Sequence, residues 1–135
     1  MAKDPIIDFS EFDINHPIAD KDAILAVNRQ RFEMQQLDGI LYEDADERLC
    51  VGYKDATDSE FWVSGHMPGM PIMPGVVMCE IAAQLSSYLC TKHNFLGAEV
   101  VGLGGLEEIR FRNVVRPGDR FVVVYDELYK DGDKV

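Results

Sequence analysis

The stretch GHMPGMPIMPGVVMCEIAAQ, residues 65–84, decides how this chain is read. Its first half, Gly65 to Gly75, holds Pro68, Pro71 and Pro74, three of the six prolines in the chain, together with Gly65, Gly69 and Gly75. Proline lacks an N–H and fixes φ, so such a run is neither regular helix nor central strand. It is a rigid loop whose few allowed conformations set where His66 points. From Gly75 the composition changes to Val76, Val77, Met78, Cys79, Ile81, Ala82, Ala83 and Leu85, and a helix is predicted over Gly75 to about Lys92. Apolar residues nearly all round predict burial on most of its sides. His93-Asn94 and Gly97 supply stop signals.

Working outward, Asp20 to Gln30 has apolar residues at 23, 24 and 27, which suits a short amphipathic helix capped by Asp20 or Asp22. Phe32 to Tyr42 and Glu47 to Ala56 read as strands of a hairpin around the polar break Glu43-Asp44-Ala45-Asp46. After the helix, Glu99 to Val115 and Arg120 to Lys130 read as strands joined by the turn Arg116-Pro117-Gly118-Asp119. In the first, Ile109 and Phe111 share one face, and Arg110 and Arg112 the other. Lys130-Asp131-Gly132-Asp133 reads as a further hairpin turn. The chain stops at Val135, where a returning strand would begin, so the C-terminal strands are expected to be cut short.

With 135 residues the chain is long enough for one domain, and an apolar fraction of 47% is ordinary for a globular protein. No uncharged apolar run reaches the roughly 18 residues of a membrane span, and the N-terminus lacks the layout of a secretory signal. Cys50, Cys79 and Cys90 show no CxxC spacing, so a reduced, cytoplasmic protein without a metal site is expected. The net charge of -11 argues against a general nucleic-acid binder and against docking on anionic lipid. Acidic residues crowd Asp38 to Glu60, whereas Arg110, Arg112, Arg116 and Arg120 cluster near the end. That cluster reads either as a solvated strand face or as a local dock for a phosphorylated or acidic partner.

A lone histidine in a loop is unremarkable. Glu80 is more informative, because a carboxylate among Val, Met, Cys, Ile and Ala is costly to bury without a partner or a task. It either reaches a solvated edge of the helix or takes part in chemistry. Gln84 lies four residues on, on the same face, where it can hydrogen-bond the carboxyl. Gly75 and Val76 expose backbone N–H groups at the positive end of the helix dipole, a place for a carbonyl oxygen that gains negative charge. Together these parts suit proton removal beside a carbonyl. His66 is the base, since an imidazole titrates near neutrality. Glu80, in surroundings that favour a protonated carboxyl, is the acid for a leaving group.

The ordered combination of His, Pro, Gly, Glu and Gln in residues 65–84, with Glu80 fourteen positions after His66, resembles the signature of the (3R)-hydroxyacyl-[acyl carrier protein] dehydratases. Weaker similarity continues through Arg110-Phe111-Arg112-Asn113-Val114-Val115-Arg116-Pro117-Gly118-Asp119, and the resemblance covers about Phe32 to Lys130. It implies an α+β hot-dog fold, an antiparallel sheet wrapped around one long central helix, in a single domain over 1–135 with an N-terminal arm and short helix at about 1–31. It implies a lyase that removes water from a 3-hydroxyacyl thioester to give the trans-2-enoyl thioester in fatty-acid or related acyl-chain synthesis. It implies His66 and Glu80 as the catalytic pair, Gly75 N–H on the thioester carbonyl, and Gln84 supporting Glu80. Met67, Met73 and Pro74 then line the substrate tunnel, and Arg110, Arg112 and Arg116 mark a carrier dock. No cofactor is implied beyond the phosphopantetheine of acyl carrier protein, or coenzyme A, that carries the substrate. The implied assembly is a homodimer, or a trimer of such dimers, in which His66 of one subunit meets Glu80 of the other. Three features depart from the family pattern: Val27-Asn28-Arg29-Gln30-Arg31-Phe32 before the first strand, Met67 in place of an aromatic, and the early end of the chain. Alternatives are a hot-dog thioesterase or CoA-thioester hydratase, and a non-catalytic hot-dog domain that binds acyl thioesters.

Overall fold

A computed structural model describes residues 4–128. Five regular elements follow one another: α1 (Lys21–Leu25), β1 (Gly39–Asp44), β2 (Leu49–Asp55), α2 (Gly75–Lys92) and β3 (Arg120–Asp126). The strands form one antiparallel sheet in the order β1-β2-β3, with α2 packed against β2 and β3. This is the α+β layout of a hot-dog fold. No helix among the described residues is long and apolar enough to cross a membrane.

The hairpin between β1 and β2 turns where its acidic break predicts, and the Asp44 carboxylate accepts the Glu47 N–H at 3.1 Å. Residues then pair from Asp44↔Leu49 back to Gly39↔Tyr53, with one irregularity between Ile40 and Tyr42. β2 is central and pairs with β3 in unbroken register from Leu49↔Asp126 to Asp55↔Arg120. The period-two alternation of strands sends Cys50, Phe121, Val123 and Tyr125 toward the helix. Leu41, Val51, Tyr53, Val122 and Val124 go to the opposite face, where Ile7 and Phe12 of the N-terminal arm cover them.

Helix α2 begins behind Pro74, whose extended backbone (φ −60°, ψ 140°) sets the entry without a side-chain cap. It ends before His93, and Asn94 takes a left-handed φ of 53° that halts the spiral. Val77, Ile81, Gln84, Leu85, Tyr88 and Leu89 form its buried face. The expectation of burial on most sides is corrected: Val76 is 77% exposed, and Glu80, Ala83, Ser86 and Ser87 are only half-buried. The helix crosses the sheet at Gly52, where an added Cβ would lie 2.8 Å from Leu85 Cδ1 and 3.1 Å from the Gly39 carbonyl oxygen. Only glycine lets the helix come this close.

Three expected elements differ. The first helix covers Lys21–Leu25 rather than Asp20–Gln30, with Asp20 as the cap on Ala23 N–H at 3.0 Å. It stops because the Arg31 guanidinium takes the carbonyls of Leu25, Asn28 and Gln30, each at 2.8 Å. The strand expected from Phe32 begins only at Gly39, since Phe32–Met34 is a 3-10 turn and the backbone of residues 34–37 bonds to the Gln84 side chain rather than to a neighbouring strand. The strand expected over Glu99 to Val115 is irregular. Val100, Leu103, Leu106, Ile109, Phe111 and Val114 all lie exposed, and Gly102, Gly104 and Gly105 weaken any strand in its first half. The last strand is formed over Arg120–Asp126, and the turn expected at Lys130-Asp131-Gly132-Asp133 lies outside the described residues.

The crossing at Gly52 predicts non-additive energetics. Gly52→Ala should cost about 1–3 kcal/mol by overpacking, and Leu85→Ala about 2–5 kcal/mol by leaving a cavity. The double variant should lose clearly less than the sum, because the cavity receives the new methyl. Urea unfolding of the four proteins measures this, and strict additivity would show that the contact does not set the approach.

Candidate active site

His66 is held by the backbone on both sides. Its N–H donates to the Trp62 carbonyl at 2.8 Å, and its carbonyl accepts the Ile72 N–H at 2.8 Å. The loop between closes on itself through reciprocal Met67 and Met70 bonds of 3.0 and 2.8 Å. The His66 side chain returns to the same place, with Nδ1 2.8 Å from the Ile72 carbonyl oxygen. A carbonyl only accepts, so Nδ1 carries the proton and donates it. In the neutral ring Nε2 therefore keeps its lone pair, and the half-buried ring presents a ready base.

Glu80 is fixed by a different device. Gln84, 1% exposed, uses its whole amide. Oε1 accepts from Gln36 N–H at 3.0 Å and Leu37 N–H at 3.1 Å. Nε2 donates to the Met34 carbonyl at 2.6 Å and to Glu80 Oε1 at 2.9 Å. A flipped amide would set its NH2 against two N–H donors, so this orientation is the satisfied one. Glu80 Oε1 is thus occupied as an acceptor, and Oε2 has no hydrogen-bond partner among the described residues. The carboxyl borders a cavity of about 640 Å³ whose wall includes Gln30, Ser87, Cys90, Leu103 and Tyr125. Burial pushes the Cys90 thiol and the Tyr125 hydroxyl up from their ordinary pKa values, so both stay protonated in this wall.

The other expected residues fall as follows. Gly75 opens α2, and neither its N–H nor that of Val76 has a hydrogen-bond partner among the described residues. The Phe111 ring lies over Gly75, with its Cε2 2.7 Å from where a Cβ would stand, so a larger residue there would displace the ring. Met73 is buried in the core, Pro74 is half-buried, and Met67 is exposed. Arg110, Arg112 and Arg116 are exposed and form no ion pair among the described residues. Arg120 differs: it grips both Asp55 oxygens at 2.7 and 2.9 Å and lies 3.9 Å over the Tyr53 ring.

Gln84 and Glu80 are brought together. No hydrogen bond joins His66 to Glu80 within the chain, and His66 is not part of the wall of the Glu80 cavity. Sequence reasoning missed Phe111 over Gly75, the Ile72 carbonyl, and Gln30, Ser87, Cys90 and Tyr125 in the cavity. Helical spacing carried a signal for some of these, since 80, 83, 87 and 90 share a face. Gln30 and Tyr125 arrive from distant segments and have no local signal.

The family model described as a FabA-like domain matches residues 28–132. A protein of Rhizobium rhizogenes is 35% identical over 102 residues, covering 76% of this chain and 64% of that relative. One of Moorella thermoacetica is 34% identical over 100 residues, covering 74% and 69%. One of Levilactobacillus brevis is 42% identical over 96 residues, covering 67% and 64%. All three are named 3-hydroxyacyl-[acyl-carrier-protein] dehydratase FabZ. The chain thus spans about two thirds of the length of these relatives.

The Gln84 arrangement predicts a large stability loss on its removal. Gln84→Leu leaves the Gln36 and Leu37 N–H groups and the Met34 carbonyl without their partner. At roughly 1–3 kcal/mol for each of these three buried unsatisfied groups, the total should reach about 3 kcal/mol or more in denaturant unfolding. A loss under about 1 kcal/mol would mean that residues 34–37 do not depend on this amide.

Proposed function

The chain belongs to the FabA-like domain family, and from that membership we propose that it removes water from a 3-hydroxyacyl thioester to give the trans-2-enoyl thioester. The observation that carries this reading is the His66 Nδ1–H bond to the Ile72 carbonyl. It holds one tautomer and points a basic Nε2 outward, as abstraction of the acidic proton at C2 requires.

In the reaction His66 Nε2 takes the C2 proton. The C2–H electron pair becomes the C2–C3 double bond, and the C3–O bond breaks with its pair on oxygen. Glu80 Oε2 gives that oxygen a proton, so water leaves. His66 ends protonated and Glu80 ionised, and proton return resets them. Negative charge on the thioester oxygen is met by the unpaired N–H groups of Gly75 and Val76 at the helix start. Gln84 positions the Glu80 carboxyl without touching substrate. Met67 and Pro74 flank this end of the tunnel, and Met73 supports it from the core.

His66 and Glu80 act together through a homodimer, each site taking one residue from each subunit. The exposed apolar run Val100, Leu103, Leu106, Ile109, Phe111 and Val114 supplies a surface for a second copy. The relatives' names give acyl carrier protein as the carrier. The free, exposed Arg110, Arg112 and Arg116 are the dock for it in an otherwise acidic molecule, effective only at short range. The domain is cytoplasmic and needs no cofactor of its own.

Incubation with 3-hydroxyacyl thioesters on acyl carrier protein and on coenzyme A tests the reading. Enoyl thioester should form, and free acid in its place would identify a thioesterase. Glu80→Gln keeps size and hydrogen bonding but gives up no proton, so turnover should fall by about 100-fold or more with little change in affinity. Mixed His66→Ala and Glu80→Ala proteins should regain part of the activity as subunits exchange. Near-normal dehydration by Glu80→Gln would remove Glu80 from the mechanism.

A further inference from the structure

Lys54 is a charged residue at a core-facing position of the central strand. It follows Cys50 and Gly52 on the helix side of β2, by the period-two alternation of strands, and it is 6% exposed. A lysine is rarely buried so far unless it is paired. Here its ammonium lies 3.1 Å from Glu60 Oε1 and 3.7 Å from Asp38 Oδ2. Both carboxylates are largely shielded as well. Asp38 has further partners, Lys21 at 3.2 Å and the Asp55 N–H at 2.8 Å. Glu60 has no other cation among the described residues.

The Lys54–Glu60 pair stands at the head of the loop that carries His66. Residues 57–66 form neither strand nor helix, so their placement depends on turn bonds and a few inward side chains. Glu60 Oε2 accepts the Thr57 N–H and the Thr57 hydroxyl, both at 2.9 Å, while Lys54 holds Oε1. Burial raises the Glu60 carboxyl, but the Thr57 N–H, Lys54 and the Thr57 hydroxyl hold it below its ordinary pKa, so it stays charged. The Glu60 carbonyl accepts the Val63 N–H at 3.1 Å, and the Trp62 carbonyl accepts the His66 N–H at 2.8 Å. Trp62 and Val63 pack on the core, but apolar contact is non-directional and does not fix the angle of the turn. The grip on both Glu60 oxygens does. The far end of the loop is tied separately, by the Met73 N–H on the Val115 carbonyl at 2.8 Å.

From this geometry we propose that Lys54 is a positioning residue for His66. Its ammonium fixes Glu60, Glu60 fixes the turn through Trp62, and the Trp62 carbonyl fixes the His66 N–H. The hold reaches the ring through main chain alone, since neither Lys54 nor Glu60 has a hydrogen bond to His66. What it maintains is the registry between Trp62 and Ile72, the two residues that His66 bonds on either side. With that registry intact, Nδ1 donates to the Ile72 carbonyl and Nε2 keeps its lone pair. With it lost, the ring is released from that carbonyl, and its proton moves toward Nε2, the preferred place in a free neutral histidine. Use of the ring as a base rests on the dehydratase reading, whereas the hold on it does not.

The test uses the whole chain with 15N-labelled histidine, the His66 ring signals being those lost in His66→Gln. At a pH where the ring is neutral, the unsubstituted protein should show His66 as the Nδ1–H tautomer alone. Lys54→Met and Glu60→Gln should each shift it toward the Nε2–H form. In both, kcat for a 3-hydroxyacyl pantetheine thioester should fall roughly ten-fold or more with KM little changed, since misplacing a catalytic group by about 1 Å costs on the order of 100-fold. Two controls separate positioning from loss of stability. Lys21→Met removes the other lysine on Asp38, and Leu41→Ala leaves a cavity on the outer face of the sheet. Both should keep the original tautomer and kcat. Glu60→Gln preserves size and suffices should Lys54→Met fail to fold. If the tautomer changes while dehydration does not, Lys54 keeps its role and His66 loses that of the base. If no protein dehydrates any thioester, the dehydratase reading fails, and the tautomer still decides the hold. An unchanged tautomer in Lys54→Met and Glu60→Gln, or the same change in Leu41→Ala, would overturn the proposal.

Discussion

The buried amide of Gln84 is the interaction on which the rest of the molecule depends. One side chain makes four hydrogen bonds in three directions: to the Met34 carbonyl, to the Gln36 and Leu37 N–H groups, and to Glu80. The first three replace strand pairing for the segment that enters β1, and so set where that strand begins. The fourth fixes the carboxyl that borders the cavity. Asn28 adds a further tie, its Nδ2 donating to the Gln84 carbonyl at 3.0 Å. Because an unmade bond in this setting costs more than a made one gains, the network holds as a unit. The position of the first strand and the orientation of Glu80 therefore share one physical cause.

Much of this was legible in the sequence because it is local. The proline and glycine punctuation of residues 65–75, the apolar run from Gly75 to Lys92 and the acidic turn before β2 each act within a few residues, and the helix bounds agree with the expected ones. The pairing of Glu80 with Gln84 was legible for the same reason, since a four-residue spacing places them on one helix face. The rest depended on distant partners. Phe32 to Asp38 has the composition of a strand, yet Gln84, some fifty residues away, takes its backbone bonds. Glu99 to Val115 has the alternation of a strand, yet β3 pairs only with β2 among the described strands. The arginine count near the end suggested one cluster, but only the fold separates Arg120, locked on Asp55 and Tyr53, from Arg110, Arg112 and Arg116.

The two ends of the candidate site rest on different kinds of support. His66 is set by main-chain bonds at Trp62 and Ile72 and by prolines that remove conformational freedom. The N–H groups of Gly75 and Val76 at the start of α2, the proposed carbonyl site, are main chain as well. The proposed proton transfer at C2 needs the base within hydrogen-bond reach and correctly aimed, and backbone support suits that with little dependence on neighbouring side chains. Beyond Glu80 the wall is made of side chains on one helix face, a glycine-containing segment and the end of β3. Substitution there changes what fits without disturbing the loop or the helix start. The wall of the cavity is thus separable from the main-chain supports that hold His66 and the start of α2.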